Sequence, residues 1–90
     1  PVVHHIDVSH YHGAIGNKFY FTLLDDFSVQ SVKVALHQSN GTLIEEGEAT
    51  KEGIQYAYTA TTAQSSITGS VLTLTVTDLP KNITEKKQTL

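Results

Sequence analysis

One stretch of the chain limits its fold more than any other. From Val71 to Asn82 the sequence runs Val-Leu-Thr-Leu-Thr-Val-Thr-Asp-Leu-Pro-Lys-Asn. Apolar side chains and threonines alternate, then an Asp-x-Pro-x-Asn segment breaks the pattern. Successive side chains of a strand point to opposite faces, so Leu72, Leu74 and Val76 share one face and Val71, Thr73, Thr75 and Thr77 the other. β-Branched threonines at this spacing pack well on a pleated surface and lose rotamer freedom in a helix. A strand with one buried face is the unit from which antiparallel sandwiches are built.

The same period recurs upstream. Lys18 to Leu24 places Phe19, Phe21 and Leu23 inward, and Val29 to Gln38 does so with Val32, Val34 and Leu36. Ile54 to Ala60 puts Tyr56 and Tyr58 on one face. Val2 to Val8 reads as a first edge strand and Thr42 to Glu45 as a short return strand. Ile83 to Leu90 reads as a last edge strand whose Lys86 and Lys87 discourage edge-to-edge pairing. Between these lie turn signals: a loop from Ser9 to Gly16, Asp25 to Ser28, the polar Glu46 to Gly53, and a Thr/Ser/Gln-rich connection from Thr61 to Gly69. Asn40-Gly41 predicts a type I′ hairpin turn, because both residue types accept positive φ. The sum is an all-β chain of about seven short antiparallel strands in two sheets, with no helix. The predicted core is Phe19, Phe21, Val32, Val34, Leu36, Tyr56, Tyr58, Leu72, Leu74 and Val76.

Ninety residues make one domain, 1–90. A domain this small buries roughly 60–65% of its unfolded surface, so inward positions must be filled. Charged residues are 17% of the chain, and serine and threonine supply much of the polar surface. Net charge is −3, so the counterion release that drives nucleic-acid binding is largely missing and no nucleic-acid partner is expected. The absence of cysteine excludes disulfides and Cys-type zinc sites. No apolar run approaches the roughly 18 residues of a membrane span. A chain beginning at Pro1 reads as a mature fragment or an excised domain.

Three segments, in order, carry a family resemblance. Asp25-Asp-Phe-Ser-Val-Gln-Ser-Val-Lys-Val34 resembles the D-D-x-x-V-x-S-V-x-V stretch of bacterial immunoglobulin-like domains. Ile54-Gln-Tyr-Ala-Tyr-Thr59 is similar to their aromatic-x-Tyr-Thr strand, and Thr75-Val-Thr-Asp-Leu-Pro-Lys-Asn82 to their A-x-D-x-x-G-N ending. The resemblance spans roughly residues 17 to 85. Val76 stands where that family often has alanine and Lys81 where it often has glycine; the lysine argues against a positive-φ turn at position 81. The buried Trp, Cys pair and corner Tyr of antibody-type domains are missing. The resemblance implies an immunoglobulin-like β-sandwich and a repeated module of exported or surface proteins; it implies no activity.

Few residue groups carry chemistry. His10-Tyr-His12 has the i,i+2 spacing that puts two imidazoles on one strand face, suitable for zinc; the alternative is a set of surface histidines with His4, His5 and His37. His5 and His10 lie about 16 Å apart if extended, too far for one shared ion without a chain reversal. In the fold the resemblance implies, the loop after the second strand and the last hairpin share one end, so Asp25, Asp26, Asp78 and Asn82 converge there. Such oxygens offer a calcium site, or else Asp78 and Asn82 bond their own turn backbone. Glu45, Glu46, Glu48 and Glu52 read as a solvated face. Tyr11, Tyr20, Tyr56 and Tyr58 offer a sugar-stacking platform or core packing. Asn40-Gly-Thr42 and Asn82-Ile-Thr84 match the glycosylation pattern, and the asparagines also serve as turn residues. No nucleophile elbow is present.

The expected function is therefore a non-catalytic immunoglobulin-like module without cofactors, extracellular, cell-surface or periplasmic, acting as spacer or adhesion domain. Its partners are neighbouring domains of a larger chain or another protein. The alternatives are a carbohydrate-binding accessory module or a calcium-binding surface module.

Overall fold

The computed structural model describes residues 2–24, 29–79 and 81–90. All its regular elements are strands: β1 Val2–Asp7, β2 Lys18–Leu24, β3 Val29–His37, β4 Leu43–Glu48, β5 Thr50–Glu52, β6 Gln55–Thr59, β7 Val71–Asp78 and β8 Ile83–Thr89. They form two four-stranded antiparallel sheets, β1-β2-β6-β5 and β4-β3-β7-β8.

Alternation in the sequence becomes alternation in burial. Along β7, Leu72, Leu74 and Val76 are fully buried while the threonines between them are partly exposed. Their partners on β3 are Leu36, Val34 and Val32, directly opposite, so six branched apolar side chains tile one inner face. On the other sheet Phe19 faces Tyr58 and Phe21 faces Tyr56 across the β2–β6 pair. Both inner faces feed a single core cluster with Tyr11, Leu23 and Ala60. Each fully buried Leu, Val or Phe contributes about 1.5–3 kcal/mol of transfer free energy. Of the predicted core, only Tyr56 is not fully buried; it packs against the cluster from its margin.

Three expectations need correction. Among the described residues there are eight strands, because the polar stretch after Glu46 holds the end of β4 and the whole of β5. Ala49, whose N–H donates to the Val32 carbonyl at 2.8 Å, is where the chain leaves one sheet for the other. All of β5 is exposed, so no alternation announces it.

The Asn40-Gly41 hairpin is also not a type I′ turn. Gly41 has φ +91°, but Asn40 is not among the positive-φ residues. The Gly41 N–H closes the turn onto the Gln38 carbonyl at 2.9 Å, and Gln38 N–H bonds the Thr42 carbonyl. Asn40 Oδ1 accepts the Thr42 N–H at 2.9 Å, so the asparagine serves through its side chain. A three-residue loop with glycine in the left-handed position is the next most common hairpin. It sets His37 opposite Leu43, and a separate register shift between His37 and Leu36 then brings Glu45 opposite Leu36.

Finally, Lys81 does adopt a positive φ, +77°. The surrounding turn imposes it: Asp78 N–H donates to the Asn82 carbonyl, and Asp78 Oδ1 accepts the Asn82 N–H at 2.8 Å.

The strand directions place the ends. β1 starts where β2 ends, and β7 ends where β8 starts. The opposite end gathers the loops 8–17, 38–42 and 60–70 with Leu90. Gly16 N–H bonds Ala60 O, Gln64 N–H bonds Gly13 O, and Leu90 N–H bonds Ser70 O. The body measures 38 × 25 × 18 Å.

Candidate functional site

The most constructed polar arrangement surrounds Glu45, which is only 7% exposed. Its position follows from pairing: Glu45 lies directly opposite Leu36, an inward residue, so its carboxylate also points inward. Oε1 accepts the Tyr58 hydroxyl at 2.7 Å, the Thr61 N–H at 2.9 Å and the Thr61 hydroxyl at 3.0 Å. Oε2 accepts the Thr62 N–H at 3.1 Å. A buried carboxylate is costly unless its lone pairs are met, and these charge-assisted bonds meet them. β4 belongs to one sheet, whereas Tyr58, Thr61 and Thr62 lie on and after β6 of the other, so one side chain links the two layers.

Gly47 makes room for this contact. A Cβ there would sit 2.9 Å from Tyr58 Cε1, closer than real contacts allow. Burial, followed by the hydrogen bond and charge of Glu45, raises the Tyr58 hydroxyl pKa to about 12. The expectation that Glu45 belongs to a solvated face is thus overturned, while Glu46, Glu48 and Glu52 are exposed as expected. The signal was present in the sequence. The two-residue hairpin expected at Asn40-Gly41 sets position 45 across from the inward Leu36. The observed three-residue loop sets His37 opposite Leu43, and the register shift between His37 and Leu36 restores the Leu36–Glu45 pairing.

A second polar cluster lies at the loop end. Tyr11 is 2% exposed and its ring packs against Phe19 with centroids 4.6 Å apart. Gln64 Nε2 donates to the Tyr11 hydroxyl at 3.0 Å and to Ser70 Oγ at 3.4 Å. Burial raises the Tyr11 pKa, with the Gln64 bond opposing. Beside this cluster lies a hollow of about 270 Å³ lined by Gln38, Ser39, Gln64, Ser65, Ser66 and neighbouring hydroxyls.

The residues proposed for metals are placed differently from expectation. Residues 10–12 lie in the loop after β1, not on a strand. Tyr11 turns into the core, leaving His10 and His12 exposed on either side of it. The His10 ring meets Tyr20 edge-on at 5.4 Å, and its Nε2 is 3.6 Å from Asp7 Oδ2. Asp7 is held below the usual carboxylate range first by the Ser9 hydroxyl, then by the Ser9 N–H, with His10 adding. His12 contributes its main-chain N–H to Asn17 Oδ1.

At the other end Asp25 and Asp26 lie outside the described residues. Asp78 is buried and uses Oδ1 on the Asn82 N–H, and Asn82 serves that turn through its main chain. Among the described residues no three His, Asp or Glu side chains gather closely enough to hold a metal ion.

The tyrosines form no shared platform. Tyr11 and Tyr58 are buried, and Tyr56 lies at the core margin with the Lys51 ammonium 5.6 Å from its ring centroid. Tyr20 lies on the outer face, opposite in direction to Phe19 and Phe21. No helix is long and apolar enough to cross a membrane, among the described residues. Compared with family models, with curated proteins and with solved structures, the chain has no match.

Proposed function

We propose that this chain is an immunoglobulin-like sandwich module of an exported or surface bacterial protein, and that it serves non-catalytically as a spacer or adhesion unit. The observation that carries the reading is polarity of the chain path: β1 begins at one end of a 38 Å body and β8 finishes at the other. A unit built this way adds length when joined in series. The strand order supports the immunoglobulin-like part. β1-β2-β6-β5 matches the ABED sheet of that fold, and β3-β7-β8 matches CFG, with β4 added at the edge.

A further support is the placement of exposed apolar side chains. Val2, Leu24, Ile54, Leu79 and Ile83, each at least 47% exposed, all sit where β1 begins. Exposed apolar side chains at this end, with Ile15 and Leu43 exposed at the other, suit end-to-end contact with adjacent units. The test is a tandem protein of directly joined copies measured by small-angle scattering. The maximum dimension is expected to grow by about 38 Å per copy. Copies that fold back into a compact cluster overturn the spacer reading.

A further inference from the structure

The loop end carries two adjoining hollows that share Gln38 and Ser39. The first, of about 270 Å³, adds Gln64, Ser65, Ser66 and Thr68. The second, of about 310 Å³, continues over Ser39 towards Val71 and Thr73, with His37 and Lys87 also in its wall. The first contains no ionisable side chain at all; its lining is hydroxyls and carboxamides.

Hydroxyls both donate and accept, and a carboxamide offers both functions from one plane. That set complements a ligand whose surface is itself hydroxyl groups. It gives a formal charge nothing to pair with, so anions and cations gain no partner there.

The hollow is also held in shape. Both Nε2 hydrogens of Gln64 are engaged, one by the Tyr11 hydroxyl and one by Ser70 Oγ, and both of those residues are 2% exposed. The Gln64 main-chain N–H is fixed on the Gly13 carbonyl at 2.9 Å. The amide orientation is therefore set from below, and its carbonyl oxygen is left as an acceptor. A group fixed before binding loses less entropy on binding.

We infer that this hollow is a binding site for a neutral saccharide, with Gln64 as the preset acceptor and Ser39, Ser66 and Thr68 as adaptable partners. The adjoining hollow receives the next sugar ring, so a linear oligosaccharide binds better than a single sugar. No phenylalanine, tyrosine or tryptophan ring lines either hollow, so no large stacking platform contributes and the affinity is weak, with Kd on the order of 1 mM. This site is independent of the spacer reading: it is tested by binding, and the spacer reading by length.

The experiment is an amide NMR titration of the isotope-labelled chain with maltotriose, cellotriose and chitotriose, with trigalacturonate as the anionic comparison. Saturable shifts centred on Ser39, Ser65, Ser66 and Thr68 with at least one neutral trisaccharide are expected, whereas trigalacturonate, whose carboxylates meet a cation only at Lys87 of the second hollow, is expected to shift Val71, Thr73 and Lys87 at most. Ser66→Trp, which fills the exposed wall of the hollow, is expected to weaken that binding by about tenfold or more with an unchanged melting temperature. Ser65→Trp provides the same test if the first variant melts earlier. The site is overturned if no neutral trisaccharide shifts these amides, if the anionic one does so equally, or if the shifts centre on the Tyr20 face.

Discussion

The inner surface of this domain is made in two different ways. Across β3 and β7 it is dry: Val32, Val34 and Leu36 meet Val76, Leu74 and Leu72 with no polar side chain between them. A short distance along the same face, at β4, the inward position opposite Leu36 is occupied by a carboxylate. The dry part is held by non-directional burial, which accepts any well-fitting apolar shape. The Glu45 corner is held by directed bonds whose donors come from Tyr58, Thr61 and Thr62, so it accepts very little else. One face thus combines a part that fixes stability with a part that fixes how the second sheet and its loop are seated.

The contrast can be attacked from either side. On the dry side, Leu74→Ala is expected to cost about 2–5 kcal/mol, since the residue is fully buried between Val34 and its neighbours. A loss below about 0.5 kcal/mol in chemical denaturation shows that Leu74 is not an inward residue. On the polar side, Glu45→Ala is expected to cost about 3 kcal/mol, because it strands the Tyr58 hydroxyl and the Thr61 and Thr62 amides. Glu45→Leu sharpens the comparison. It restores apolar volume but supplies no acceptor, so its stability is expected to stay near that of the alanine variant. Recovery to the parent level in urea melts removes the distinction between the two parts.

Acidity offers a third approach. In the unfolded chain Tyr58 loses its proton near its ordinary value of 10.0, but in the folded protein only at about 12. Between those values the unfolded state binds fewer protons, so stability is intact below pH 10 and falls as pH rises towards 12, by about 2–3 kcal/mol. Denaturation midpoints at about pH 9 and about pH 11 measure this slope. Tyr58→Phe is expected to flatten most of it, leaving the part due to Tyr11, whose pKa burial also raises. An undiminished slope in Tyr58→Phe assigns the effect elsewhere.

Smaller effects test whether directed bonding outranks local preference in the turns too. Gly41→Val puts a β-branched residue at φ +91° and is expected to cost about 1–2 kcal/mol by thermal melting. Lys81→Gly relieves a left-handed non-glycine residue at φ +77° and is expected to stabilise by about 0.5 kcal/mol. A loss of stability in Lys81→Gly makes the lysine side chain, not its backbone, the important feature of that turn.

These two parts were not equally readable in the sequence. Alternation identified β2, β3 and β7 and most of the core, because a period of two survives wherever one face is buried. It failed at β5, where Thr50, Lys51 and Glu52 are all exposed and carry no period. It failed at Tyr11, an isolated aromatic in a loop whose burial depends on Gln64, far along the chain. Glu45 was misread because residue type was weighed above register: a glutamate among glutamates looks solvated until its partner across the hairpin is considered. Lys81 was misread because turn propensity describes an isolated turn, whereas Asp78 and Asn82 together determine this one.

The passage of the chain from β4 to β5 has a consequence for how the domain comes apart. A single residue, Ala49, separates a strand of one sheet from a strand of the other, and its own N–H is bound to Val32. Neither sheet can be completed without fixing the starting point of the other, and detaching β5 pulls directly on β4 and the Glu45 bonds beside it. The two layers are therefore expected to lose their structure together, as one cooperative unit, rather than as separate foldons.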